Sequence, residues 1–190
     1  MKYDIVLAGV GGQGVLSMAA LIARAAMAAG LQVKQSEVHG MAQRGGAVQA
    51  HLRFSDGRIE SDLIPLASAD LILSLEPVEA LRYLPWLSPA GTLVTSANAF
   101  VNIPDYPPHD EVLGRVRSLP HAIVVEAERI AEESGDVLAV NTVMVGAAAH
   151  LLPFASQALE DSVRATFARK GERTLAANLA AYAAGRRATT

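Results

Sequence analysis

Gly9, Gly11 and Gly14 stand at G-x-G-x-x-G spacing within "AGVGGQGVLS" (8–17), after the apolar run "YDIVL" and before an Ala-rich segment of helical pattern. Glycines in that context permit positive φ and let backbone amides approach a phosphate. A helix starting at the loop adds unpaired N–H groups and a partial positive charge. Glu37 lies near the end of the second strand pattern, where an acid that binds a nucleotide ribose would be expected. Gly12 and Gln13, however, replace the small or aliphatic pair common in nicotinamide fingerprints, and Gln13 offers a side-chain amide where a pyrophosphate would lie. Three readings stand side by side: a dinucleotide loop, a loop for another anionic ligand, and a tight strand-to-helix turn in which Gly14 serves only close packing.

A second polar cluster, "SEVHGMAQRGG" (36–46), combines Ser36, Glu37, His39, Gln43 and Arg44 with Gly40, Gly45 and Gly46. Arg44 can grip a phosphate or carboxylate through two parallel hydrogen bonds, and His39 can serve as acid, base or hydrogen-bond donor. The plainer alternative is an Arg44–Glu37 ion pair with His39 closing a turn. His51, His109, His121 and His150 are scattered, which predicts no metal site, and no Ser-His-Asp or Cys-His order is persuasive. The chain has no cysteine, which excludes disulfides, thiolate zinc sites and the thiolate ligands that ordinarily hold iron–sulfur clusters.

Those residues need elements to hold them. Strand patterns cover 3–8, 31–38, 46–55, 69–77, 91–98 and 121–127. Helix patterns cover 14–29, 77–84, 127–135, a segment ending at Pro153, 156–169 and 172–185. The first three elements read as a βαβ unit. Val48, Ala50, Leu52 and Phe54 alternate onto one face of the third strand, which reads as an edge or antiparallel addition. The proline-rich "NIPDYPPHD" (102–110) must be an irregular loop. Asn141 is placed to cap the apolar helix that follows it. The alternation predicts an α/β fold: a doubly wound, mainly parallel sheet with helices on both faces. Ligands of such a sheet sit at the carboxyl ends of its strands, here the loops after 8, 38, 75 and 96.

The 190 residues fit one domain, 1–190, able to bury about two-thirds of the surface its unfolded form exposes. Hydrophobic residues make up 51% of the chain, but no uninterrupted apolar run is long enough to span a membrane. "MKYDIV" leads straight into a strand with no secretory signal pattern, so a cytoplasmic protein is expected. A net charge of −3 and a pI near 5.9 argue against a nucleic-acid or anionic-membrane surface.

"GVGGQGVLSMAALIARAAMAAG" followed by "SEVHGMAQRGGAVQAHLRFSD" resembles the gamma-type domain of the 2-oxoacid:ferredoxin oxidoreductases, particularly the small subunit of the indolepyruvate type. The likeness extends more loosely through "ADLILSLEPVEAL" and "NTVMVGAAA". It implies a Rossmann-like fold and a chain inactive alone, acting on indolepyruvate, another arylpyruvate or a related keto acid. Thiamine diphosphate and iron–sulfur clusters would belong to a larger partner subunit that passes electrons to ferredoxin. Coenzyme A would meet this chain at the glycine loop: Gly9, Gly11, Gly12, Gln13 and Gly14 would form the binding loop, with Asn141 as a further polar contact. His39, Gln43 and Arg44 would face the partner's active site, with Arg44 supplying charge. Two other classes remain: a self-contained NAD- or FAD-binding oxidoreductase using Glu37, and a non-catalytic scaffold subunit.

Overall fold

A computed structural model describes residues 1–40, 45–101 and 103–189. Six strands, β1 (Lys2–Val10), β2 (Gln32–His39), β3 (Ala47–Ser55), β4 (Ala69–Ser74), β5 (Leu87–Ser96) and β6 (Ala122–Val125), form one sheet in the order β2-β3-β1-β4-β5-β6. β1, β4, β5 and β6 are parallel, whereas β3 runs antiparallel to both β1 and β2. The doubly wound α/β expectation therefore holds, with one inserted strand.

The helices α1 (Val15–Ala28), α4 (Ala127–Glu133), α5 (Val140–Ala148), α6 (Ser156–Phe167) and α7 (Glu172–Arg187) share one core with Ile5, Leu7, Leu71 and Leu73. Between β4 and β6, α2 (Pro77–Arg82) and α3 (His109–Arg117) cover the other face, over Val6, Ala8, Ile72 and Leu93. The alternate positions of β1 thus feed two separate cores, as a strand buried on both faces requires.

The third strand corrects one sequence expectation. It is not an edge: it lies between β1 and β2, so those two parallel strands are not neighbours in a simple βαβ unit. Val48, Ala50, Leu52 and Phe54 do share one face and join the α1 core. On the opposite face, Arg53 donates to both carboxylate oxygens of Asp4, its register partner on β1, at 2.8 and 3.0 Å. Arg53 also donates to the carbonyls of Ser61 and Leu63. The His51 imidazole accepts from the Ile64 amide at 2.9 Å. A segment without helix or strand is pinned there, against the face of β3 that carries His51 and Arg53. β2 is the edge on this side of the sheet and is mostly exposed, which fits its polar sequence.

Three local expectations also change. The strand expected at 69–77 ends at Ser74. A helix, α3, begins at the end of the expected loop and continues through residues given no element by the sequence; its alternation of charge with Val112, Leu113 and Val116 carried the signal. Asn141 is not the cap of α5: Ala139 holds that position, and Asn141 sits inside the first turn with its Oδ1 accepting from the Thr142 amide at 2.8 Å. No described helix is long and apolar enough to cross a membrane.

Candidate functional site

β1 and β4 are parallel neighbours whose following helices leave over opposite faces, α1 toward one core and α2 toward the other. This divergence opens a crevice at the carboxyl ends of the two strands, the place where such sheets bind ligands. The glycine loop occupies one side of it. Gly12 and Gly14 adopt φ of +104° and +94°, conformations that cost a side-chain-bearing residue free energy. A Cβ at Gly9 would stand 2.8 Å from Val15 Cγ2, so Gly9 serves the tight turn by absence of bulk.

Gln13 folds back onto the scaffold. Its Oε1 accepts from the Val10 amide at 2.7 Å, and its Nε2 donates to the Leu75 carbonyl at 3.2 Å. The side chain thereby ties the loop after β1 to the end of β4. No side chain caps α1, and none of the described hydrogen bonds uses the amides of Gly12, Gly14, Val15, Leu16 or Ser17. A row of backbone donors at a helix N-terminus is left for an external acceptor.

The two polar motifs meet through their backbones. The Gly11 amide donates to the Gly46 carbonyl at 2.7 Å, and the Gly45 amide donates to the Gly11 carbonyl at 3.2 Å. His39, at the end of β2, is exposed and reaches the same cleft, a space of about 390 Å³ lined also by Gly11, Gly12, Gly14, Ser17 and Val48. Gln43 and Arg44 lie outside the described residues. Asn141 packs against Gly14 from beneath: its Nδ2 is 2.9 Å from where a Gly14 Cβ would stand. It faces a different cavity, along α1. Glu37 is exposed on the edge strand. With β3 between, it stands two strand spacings, about 10 Å, from β1 rather than one. That position does not suit an acid meant to reach a ribose held by the glycine loop.

Sequence reasoning missed the other side of the crevice. Glu76 is buried and caps α2, accepting from the Glu79 amide at 2.7 Å, while Tyr106 donates its hydroxyl to the same carboxylate. Glu79 is held by Arg82 at 3.0 Å, yet burial raises its carboxyl above the usual range. These residues border a 260 Å³ space that Gly45 and Gly46 also line. The available signal was "LEP" at a strand end, an acid directly before a proline at a helix start.

An open α/β sheet with a glycine-rich loop at its switch point, joined to a second glycine-containing segment, defines the class. The family model described as pyruvate ferredoxin/flavodoxin oxidoreductase matches residues 4–188, and the chain belongs to that family. It is 41% identical over 179 residues to the indolepyruvate oxidoreductase subunit IorB of Archaeoglobus fulgidus, covering 90% of this chain and 88% of the relative. Two solved structures share the fold. A keto/oxoacid ferredoxin oxidoreductase gamma subunit from Geobacter sulfurreducens matches 98% of both chains with a TM-score of 0.71 and 24% identity. The 2-oxoglutarate:ferredoxin oxidoreductase from Magnetococcus marinus, with 2-oxoglutarate, coenzyme A and succinyl-CoA bound, matches 99% of this chain and 31% of its own, with a TM-score of 0.77 and 22% identity. The protein is a small subunit of the 2-oxoacid:ferredoxin oxidoreductase type, a component of an oxidoreductase complex.

Proposed function

We propose that this chain forms one wall of an active site shared with a larger subunit carrying thiamine diphosphate and iron–sulfur clusters. The complex would oxidatively decarboxylate an arylpyruvate such as indolepyruvate and pass the electrons to ferredoxin. The observation that carries this reading is the joining of Gly11 to Gly45 and Gly46, which makes a single rim of the two motifs beside a row of uncommitted amides. Coenzyme A, bound in the cleft, would supply the thiol that takes the acyl group.

The chain's own residues fit a phosphate-bearing ligand. Gly11, Gly12 and Gly14 present backbone to the cleft, and the open space around Gly12 leaves room for close approach. Gly9 permits the turn, and Gln13 holds the loop in place rather than offering its whole amide to a ligand. His39 stands on the rim toward the partner, and Gln43 and Arg44 belong to the same segment, Arg44 supplying a cation for the coenzyme or the substrate carboxylate. Asn141 supports Gly14 from below. The position of Glu37 speaks against the NAD reading.

Reconstituted with its partner, the chain should support arylpyruvate- and coenzyme A-dependent reduction of ferredoxin or a viologen. Gly12→Val places a branched side chain in the cleft at a φ unfavourable to it, and should raise the KM for coenzyme A at least about tenfold. An unchanged coenzyme A dependence would count against the loop assignment; full activity of the partner without this chain would defeat the proposal.

A further inference from the structure

A second polar space lies beside the glycine-loop cleft, with Ser17 lining both. It is a cavity of about 620 Å³ between α1, the turn before α5, and the corner joining α6 to α7. Arg24, Lys170 and Arg173 line it from three separate elements. None of the three has a carboxylate within ion-pairing distance among the described residues. The lining includes a single acid, Asp136, whose Oδ1 already accepts from the Leu138 amide. All three are exposed around this space, and an anion placed among them would gain charge-assisted hydrogen bonds.

The floor supplies an independent indication. Asn141 is only 9% exposed and lines this cavity. Its Oδ1 is taken by Thr142, but its Nδ2 makes no hydrogen bond among the described residues. That donor keeps some solvent access and is therefore available to an external acceptor. The first turn of α7 contributes Arg173 and Thr174, and no side chain caps that 16-residue helix. Leu21 and Phe167 add apolar wall, with Lys170 over the Phe167 ring at 5.1 Å. Cations at the mouth, an amide at the floor and apolar sides suit a ligand with phosphate at one end and a flat ring at the other.

We infer that this cavity binds a phosphorylated nucleoside, at a site separate from the glycine loop. The inference rests on Arg24, Lys170 and Arg173, with Asn141 shared between this cavity and the support of Gly14. The ligand could be a free nucleotide or the phosphorylated adenosine end of a coenzyme, and the two sources are separable by experiment.

The full-length chain would be titrated calorimetrically with ATP, with coenzyme A and with dephospho-coenzyme A. Saturable binding tighter than about 1 mM, weakened at least about tenfold in Arg24→Glu/Arg173→Glu and, for ATP, weakened in Asn141→Asp but retained in Gly12→Val, is the expected result. Asn141→Asp keeps the acceptor that Thr142 uses while replacing the free donor by a negative charge. Circular dichroism and thermal midpoints establish that each variant is folded. Preference for ATP identifies a free nucleotide. Preference for coenzyme A over its dephospho form identifies a coenzyme end. Absence of saturable binding, or binding that survives the charge-reversed variant, overturns the inference. Loss in Gly12→Val with retention in Arg24→Glu/Arg173→Glu likewise overturns it, while leaving the glycine-loop reading intact.

Discussion

Gln13 has two faces in this protein. By sequence it is the residue that departs from a nicotinamide fingerprint; in the fold its amide bridges Val10 and Leu75, so the departure serves rigidity of the loop at the switch point. Gln13→Ala removes both hydrogen bonds, and at about 1 kcal/mol each should lower stability by about 2 kcal/mol, read as a lower urea midpoint with an unchanged slope. His51 gives a pH dependence of known sign. Burial, reinforced by the Arg53 guanidinium, depresses its pKa below 6.5, although Asp4 and Asp62 pull the other way. Its Nδ1 accepts from the Ile64 amide, a role only the neutral ring can fill. The unfolded chain binds the proton more readily, so the stabilisation is complete above the unfolded pKa of about 6.5 and is lost as pH falls below it. Thermal midpoints of the wild type should therefore drop more steeply between about pH 7 and 5 than those of His51→Gln; parallel curves would contradict this account.

Among the elements, the tightest packing is at the crossing of α5 and α7. A Cβ on Gly185 would stand 2.0 Å from the Val143 carbonyl oxygen, and one on Gly146 would stand 2.2 Å from that of Tyr182. The helix backbones touch, and no rotamer change can make room, because the obstructing atoms are main chain. Gly185→Ala gains helix propensity of about 1 kcal/mol, yet forcing the helices apart should cost about 3 kcal/mol or more. The net prediction is a destabilised protein, measurable as a fall of several degrees in the thermal midpoint. The insertion of β3 rests on a comparable constraint: Asp4 is wholly buried and spans β1 to Arg53 on β3. Asp4→Asn strands a buried guanidinium and should cost about 3 kcal/mol in chemical denaturation.

The whole molecule belongs to a family of oxidoreductase subunits, and its fold recurs both as a separate gamma subunit and as 31% of a longer chain. Titrating this chain into its isolated partner should raise 2-oxoacid-dependent viologen reduction to a plateau at a fixed stoichiometry; a rise without saturation would point to a nonspecific effect. Much of the fold could be read before any coordinates. Hydrophobic period alone placed β1, α1, β3 and the two C-terminal helices, because each presents an apolar face to a core, and the glycine spacing marked the strand-to-helix loop because positive φ and close approach demand that residue type. What the chain could not reveal was order across the sheet. The antiparallel β3 between β1 and β2 and the joining of Gly11 to Gly45–Gly46 depend on contacts between segments far apart in sequence, and so does the orientation of Asn141 toward a basic cavity. Local periodicity records which face of an element is buried, not which neighbour buries it. The residues that could do chemistry were determined by sequence; which of them share a cleft, and which, like Gln13 and Glu37, are turned to structure or to solvent, was decided by tertiary packing.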